Sequence, residues 1–131
     1  DVLTDYEIIA PDKKQSKVVL NISLSGTINN DRITDVLGND VSIYTLTIQN
    51  PFNDFLQSKK QLVDFTVVVR KMLNEIKLEY GSKMSLHIFP AMPIAAAVEL
   101  GRYWMPKADM PLVIYDENKL NEGFFKAIEI N

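Results

Sequence analysis

The sequence predicts an α/β fold: a mainly parallel sheet with helices on both faces. Three observations carry this. Strings rich in β-formers alternate with helical stretches through most of the 131 residues, the order that βαβ units produce. The stretch Leu86 to Trp104, LHIFPAMPIAAAVELGRYW, reads as an apolar strand, a proline-bracketed turn and a helix opened by Pro93. Such a junction leaves free backbone N–H groups facing the strand tip. The composition, 47% hydrophobic and 24% charged, is that of an ordinary globular domain, long enough to bury roughly two-thirds of its unfolded surface in one core.

The elements follow in order. Residues 1–17 contain Pro11 and the polar run DKKQSK, which reads as a loop or an arm from a preceding region. A start without Met or a structured element suggests a piece of a longer protein. Lys17 to Ser23 (KVVLNIS) is the first strand, ended by the small residues Ser25 to Thr27. Asp31 to Leu37 makes two helical turns, with Asn30 or Asp31 as N-cap and Gly38 as the stop. Val41 to Ile48 (VSIYTLTI) alternates as a second strand and ends at Gln49-Asn50-Pro51. Ser58 and Gln61 make a capping-box signature, and Gly81 stands as the C′ glycine of the longest helix. Between them Leu62, Phe65, Val69, Met72, Leu73, Ile76 and Tyr80 recur at helical spacing. Val63, Val67 and Val68 widen that stripe, which fits either a second contact surface or a deeply buried helix. Met84 to Phe89 is the third strand, the Pro93 helix runs to about Trp104, and Leu112 to Tyr115 is a fourth strand. A turn at Asn121 to Gly123 leads to a last strand, Phe125 to Ile130. The short final connection leaves room for an antiparallel C-terminal hairpin. The whole is a Rossmann-like arrangement.

The net charge of −3 argues against a domain that coats DNA or RNA, which needs a basic footprint. The absence of cysteine excludes disulfides, thiol catalysis and thiolate-bound zinc. No run approaches the roughly 18 apolar residues of a membrane span, and no signal-peptide pattern opens the chain, so a cytoplasmic domain without membrane contact is expected.

In open α/β sheets, ligands lie outside the carboxyl ends of the strands. That rule selects Ser25-Gly26-Thr27, Gln49-Asn50, Phe89-Pro90-Ala91-Met92 and Tyr115-Asp116. Gly26 and Ala91 allow close backbone approach, Ser25, Thr27 and Asn50 offer hydrogen bonds, and Phe89 or Tyr115 can stack on a base. The alternative is that these are the turns any such sheet needs. Ala95 to Ala97 permit close helix packing or simply supply helix propensity, and Gly101 in a helix costs about 1 kcal/mol relative to Ala unless a close contact requires it. Arg102 is the cation best placed for a phosphate, with a surface ion pair as its commoner fate. Neither G-x-G-x-x-G nor a Walker A sequence is present. His87 lies mid-strand, where a structurally satisfied role outweighs a catalytic one. Asp116 and Glu117 are too small a carboxylate group to argue for magnesium. No catalytic residue or metal site is visible.

The segments NISLSG (Asn21 to Gly26), IYTLTIQNP (Ile43 to Pro51), HIFPAMPIAAAVELGR (His87 to Arg102) and VIYDEN (Val113 to Asn118), with the capped long helix, resemble the C-terminal half of a SAVED domain. F-P-A-x-P, then E-L-G-R, then P-x-x-x-Y-D are the most specific, and the likeness spans roughly Val18 to Ile130. The resemblance implies a CARF-like, Rossmann-like half-domain at 18–131, one of two that together bind a cyclic di-, tri- or tetranucleotide made during phage infection. It implies a cytosolic sensor rather than an enzyme, needing no cofactor. Its partners would be the cyclic oligonucleotide, the other half or another subunit, and a fused effector, in a ligand-driven homo-oligomer of an antiphage (CBASS) system. The ligand phosphate would sit near the Pro93 helix N-terminus. Two alternatives stand beside this: a CARF-like ring nuclease that degrades the ligand, and a non-binding half that serves oligomerisation.

Overall fold

The computed structural model describes residues 6–48, 59–92, 98, 100, 110–118 and 123–130. In chain order these form β1 (Tyr6–Ile9), β2 (Lys17–Ser23), α1 (Asn30–Leu37), β3 (Val41–Ile48), α2 (Lys59–Tyr80), β4 (Leu86–Ala91), β5 (Leu112–Asn118) and β6 (Gly123–Ile130). The six strands make one sheet in the order β1-β3-β2-β4-β5-β6. β3, β2, β4 and β5 are mutually parallel, while β1 and β6 run antiparallel at the two edges. The expected mainly parallel sheet and C-terminal hairpin are both present.

The order explains the layers. The connection from β2 through α1 to β3 moves one way along the sheet; that from β3 through α2 to β4 moves back across β2. Right-handed crossovers in opposite directions place their helices on opposite faces. Accordingly Val18, Leu20, Ile22, Leu86, Ile88, Leu112 and Ile114 pack with Phe65, Val69, Met72 and Ile76 of α2. Val19, Phe89, Val113 and Tyr115 pack with Ile33 of α1. β2, at the centre, has six of its seven residues buried, as expected of a strand covered on both sides.

The stripe on α2 is confirmed: Phe65, Val69, Met72, Leu73, Ile76 and Tyr80 are buried. Val68 joins them, whereas Val63 and Val67, one turn apart, are 53% and 51% exposed. Gly81 ends the helix at φ 84°, its N–H donating to the Lys77 carbonyl at 2.7 Å. Ser58 of the capping box lies outside the described residues.

Besides the starts of β4 (Leu86, not Met84) and β6 (Gly123, not Phe125), four boundaries differ from expectation. The segment 1–17, expected as a loop or arm, carries β1, because Tyr6 to Ile9 add to the free edge of β3. Its continuation is pinned as well. The Gln15 N–H donates to Ser42 Oγ at 2.6 Å, Lys14 Nζ donates to the Glu79 carbonyl at 3.0 Å, and the Ser16 hydroxyl donates to the Asp40 carboxylate. Those Ser16 hydrogen bonds hold Asp40 below the usual carboxylate range. Second, α1 starts one residue early: Asn29 occupies the N-cap position without a side-chain cap bond, and Asn30 Oδ1 instead accepts from Asn21 Nδ2 at 3.3 Å.

Third, β4 runs through Pro90 and Ala91 rather than ending at Phe89. The Ala91 carbonyl faces β2 and accepts from the Leu24 and Ser25 N–H groups, both at 2.9 Å. Alternation then turns the nitrogen of Pro90 toward β5, where pairing has already ended at Ile88↔Ile114, so no ladder bond needs its missing N–H. Fourth, β5 continues to Asn118 because β6 pairs with it out to Asn118↔Gly123, with a bulge between Ile114 and Tyr115.

Candidate functional site

β2 is the point where strand order reverses, since its two successive neighbours, β3 and β4, lie on opposite sides. A crevice opens at the carboxyl ends of strands at such a point. Here it is a cleft of about 410 Å³ lined by Ser25, Gly26, Thr27, Ile28, Arg32, Pro90, Ala91, Met92, Asp116, Glu117 and Phe124.

Two buried polar side chains of β2 brace the loop that forms one wall. Asn21 Nδ2 donates to the Ile28 carbonyl at 2.8 Å, and the Ser23 hydroxyl donates to Asn21 Oδ1 at 2.7 Å. Ser23 Oγ in turn accepts from the Ile28 N–H at 3.0 Å. With the paired bonds onto the Ala91 carbonyl, these fix the loop Leu24 to Ile28 from both ends. Each buried group on β2 is thereby satisfied, and the loop is shaped without a ligand. Ser25 Oγ is the exception: it is buried and has no hydrogen-bond partner among the described residues. A buried hydroxyl of this kind in a cleft wall is a ready donor or acceptor for whatever enters.

Beneath the cleft lies an aromatic cluster, and it differs from the expected use of Phe89 and Tyr115. Phe89 is 0% and Tyr115 4% exposed, and their rings stack on each other at 4.2 Å, 5° from parallel. Phe124 meets Phe89 edge-on at 5.2 Å. Strand alternation puts Phe89 on the α1-side face of β4 and Tyr115 beside Val113 on the same face of β5, so their faces are occupied by each other rather than presented to a base. Neither lines the cleft.

The Tyr115 hydroxyl lies 2.9 Å from His87 Nδ1, which gives His87 a structural partner. Burial, together with Lys17 and Lys126, depresses the His87 pKa below its ordinary 6.5. A base whose native pKa is lowered is neutral in the fold and takes up its proton more readily when unfolded. Its stability contribution is therefore full above about pH 6.5 and is lost as pH falls toward the depressed native value. Urea titrations between pH 7.5 and 5 should show a steeper loss of stability for the wild type than for His87→Gln; parallel curves would exclude this assignment.

At the mouth, Arg32 of α1 extends across to β5. Its Nη2 donates to Glu117 Oε2 at 2.6 Å, and its guanidinium carbon lies 4.6 Å from the centroid of the Phe124 ring. Asp116 Oδ1 accepts the Glu117 N–H at 2.8 Å. Among the described residues no group of three or more His, Asp or Glu is placed to hold a metal ion.

Of the residues selected from sequence, Ser25, Gly26, Thr27, Pro90, Ala91, Met92 and Asp116 line one cleft. Gln49, Asn50, Arg102 and most of the Pro93 helix lie outside the described residues; Leu100 of that stretch is buried in the α2-side core. Ile28, Arg32, Glu117 and Phe124 were not selected. Arg32 was findable, because the first turn of a helix that follows a strand tip shares that tip's edge. Phe124 was not, because its position depends on the hairpin register.

Comparisons with solved structures show the same fold. An Acinetobacter baumannii Cap4 SAVED/CARF-domain containing receptor with the cyclic trinucleotide 2′3′3′-cAAA matches with a TM-score of 0.75 and 18% identity, over 96% of this chain and 27% of that one. The same receptor with 3′3′3′-cAAA matches with a TM-score of 0.71 and 19% identity, over 97% and 27%. A Moraxella osloensis Cap4 receptor of the same type gives 0.59 and 17%, over 92% and 23%. The chain thus spans about a quarter of the length of these receptors. No curated protein matches the sequence. The family model for the "SMODS-associated and fused to various effectors sensor domain" matches residues 3–130, nearly the whole chain including β1, and the chain accordingly belongs to the SAVED family of sensor domains.

Proposed function

We propose that this chain is the C-terminal half of a sensor that binds a cyclic oligonucleotide of two to four nucleotides in the cleft over β2, β4 and β5. The observation that carries the reading is the coincidence of the cleft with the strand-order switch point, in a chain whose fold matches receptors described with cyclic trinucleotides. Ser25, Gly26 and Thr27 on one side and Pro90, Ala91 and Met92 on the other admit the ring's backbone closely. The Ser25 hydroxyl gains a partner, Arg32 meets a phosphate, and Asp116 accepts from base amino groups or ribose hydroxyls. Gln49, Asn50 and Arg102, selected from the sequence, are proposed as further ligand contacts.

At about 410 Å³ the cleft is near the small end of the roughly 300–1,000 Å³ usual for ligand sites. A ring of several nucleotides overhangs it and presents its other edge to the second half or another subunit. The free energy of that bridging biases assembly toward the active state and switches on a fused or associated effector in antiphage defence. Residues 1–17 lead in from the preceding half, with β1 as their attachment. The ligand is held and not turned over. Among the described residues no helix is long and apolar enough to cross a membrane, and a cytoplasmic site of action fits the ligand.

The test is calorimetry of the intact protein against a panel of cyclic di-, tri- and tetranucleotides, followed by chromatography of the ligand after long incubation. Binding with intact ligand recovered is the expected result. Linear products would favour the ring nuclease, and no binding by any ring the oligomerisation half.

A further inference from the structure

We propose that Glu117 is an internal stand-in for the ligand's phosphate: it occupies the Arg32 fork until a phosphodiester exchanges for it, and so sets the sensor's affinity. The inference rests on the cyclic-oligonucleotide reading above. Arg32 and Glu117 are 85 residues apart in sequence, come from opposite walls, and both line the cleft. Their contact of 2.6 Å joins one edge of the guanidinium to the carboxylate. The face of the guanidinium rests on Phe124, itself braced by Phe89. The planar fork that accepts a carboxylate also accepts two phosphate oxygens, so exchange leaves the seat on Phe124 undisturbed.

The exchange is also easy. The two side chains are 27% and 42% exposed, and a solvated pair of this kind favours the closed contact by no more than about fivefold. Asp116 differs, because its Oδ1 is turned back onto the Glu117 N–H. A cleft built for an anion but carrying two carboxylates and Arg32 is thereby explained: one carboxylate is displaced on binding.

The experiment is a double-mutant cycle on the intact protein, read by calorimetry with 2′3′3′- and 3′3′3′-cyclic triadenylate and the rest of the ring panel. Glu117→Gln is expected to bind about two- to fivefold more tightly, the range an exposed pair can withhold. Arg32→Ala is expected to lose at least tenfold, as for a hydrogen bond to a charged group. In the Arg32→Ala background the E117Q gain should vanish, the signature of coupled residues. Arg32→Gln replaces Arg32→Ala if the latter unfolds, with the same loss of the E117Q gain, since glutamine keeps the stem but carries no charge to pair with Glu117 or a phosphate. An unchanged or weaker E117Q overturns the proposal, because Glu117 would then be idle or a direct ligand contact. So does a gain that persists without Arg32, which would be simple charge repulsion. Silence of the wild type and E117Q alike toward every ring overturns the sensing reading itself, and the exchange with it.

Discussion

Replacing Ala91 by tryptophan is expected to weaken cyclic-oligonucleotide binding by at least tenfold, about 1.4 kcal/mol, while leaving the fold intact. Ala91 lines the cleft at the tip of β4, and an indole there occupies the space a ring backbone needs. Its side chain is half-buried beside the α1-side core, and its carbonyl accepts from the Leu24 and Ser25 N–H groups at 2.9 Å, bonds that survive any side chain. Loss of binding without loss of stability is therefore the diagnostic pair. Leu78→Trp is the control, since Leu78 is 87% exposed on the α2 turn that leads to the opposite end of β4. Calorimetry with thermal melts of the same samples reads both quantities, and an Ala91→Trp protein that binds like the wild type removes the cleft from the site.

The second large effect concerns stability. Phe89→Ala is expected to cost about 3–5 kcal/mol, the range for removing a fully buried aromatic ring. For a domain of this size that is a fall of roughly 10–20 °C in melting temperature, out of a total stability of about 5–15 kcal/mol. Phe89 is 0% exposed and touches Tyr115 face-on and Phe124 edge-on. Its loss opens a void under three elements at once. It also removes the brace beneath Phe124, on which Arg32 rests, so binding should weaken along with stability. Phe125→Ala, one residue from Phe124 and 48% exposed, should change stability by no more than about 0.5 kcal/mol. Equal losses for the two variants in urea titration would contradict the assigned faces of β4 and β6.

The contrast between Phe124 and Phe125 shows where sequence reasoning stops. Neighbours in a strand point to opposite faces, so that one of the pair faces the core is legible from the string itself. Which one, and against what, depends on the register between β5 and β6, and a shift of one residue would exchange them. The same limit explains Tyr115 and Phe89. Both were expected at strand tips, yet β4 runs on to Ala91 and β5 to Asn118 because neighbouring strands receive them, and both side chains face the α1-side core, where the rings satisfy each other.

What the sequence determined by itself was everything written in short-range periodicity and punctuation. Lys17–Ser23 and Val41–Ile48 were legible as strands by composition and alternation, the α2 stripe by its spacing of three and four, and its end by Gly81. The strand-helix alternation gave the parallel sheet, and with it the edge at which Ser25, Gly26, Thr27, Pro90, Ala91, Met92 and Asp116 come together. Tertiary structure decided what depends on pairing at a distance. It made Tyr6–Ile9 a strand because β3 had a free edge, and carried β4 through Pro90 because β2 was there to receive it. It also set Arg32 against Glu117 across 85 residues. Such contacts bear no local signature, because they arise only when crossovers have laid separate segments side by side. The cleft edge follows from the order of the elements, but the charge pair that guards it follows only from the fold.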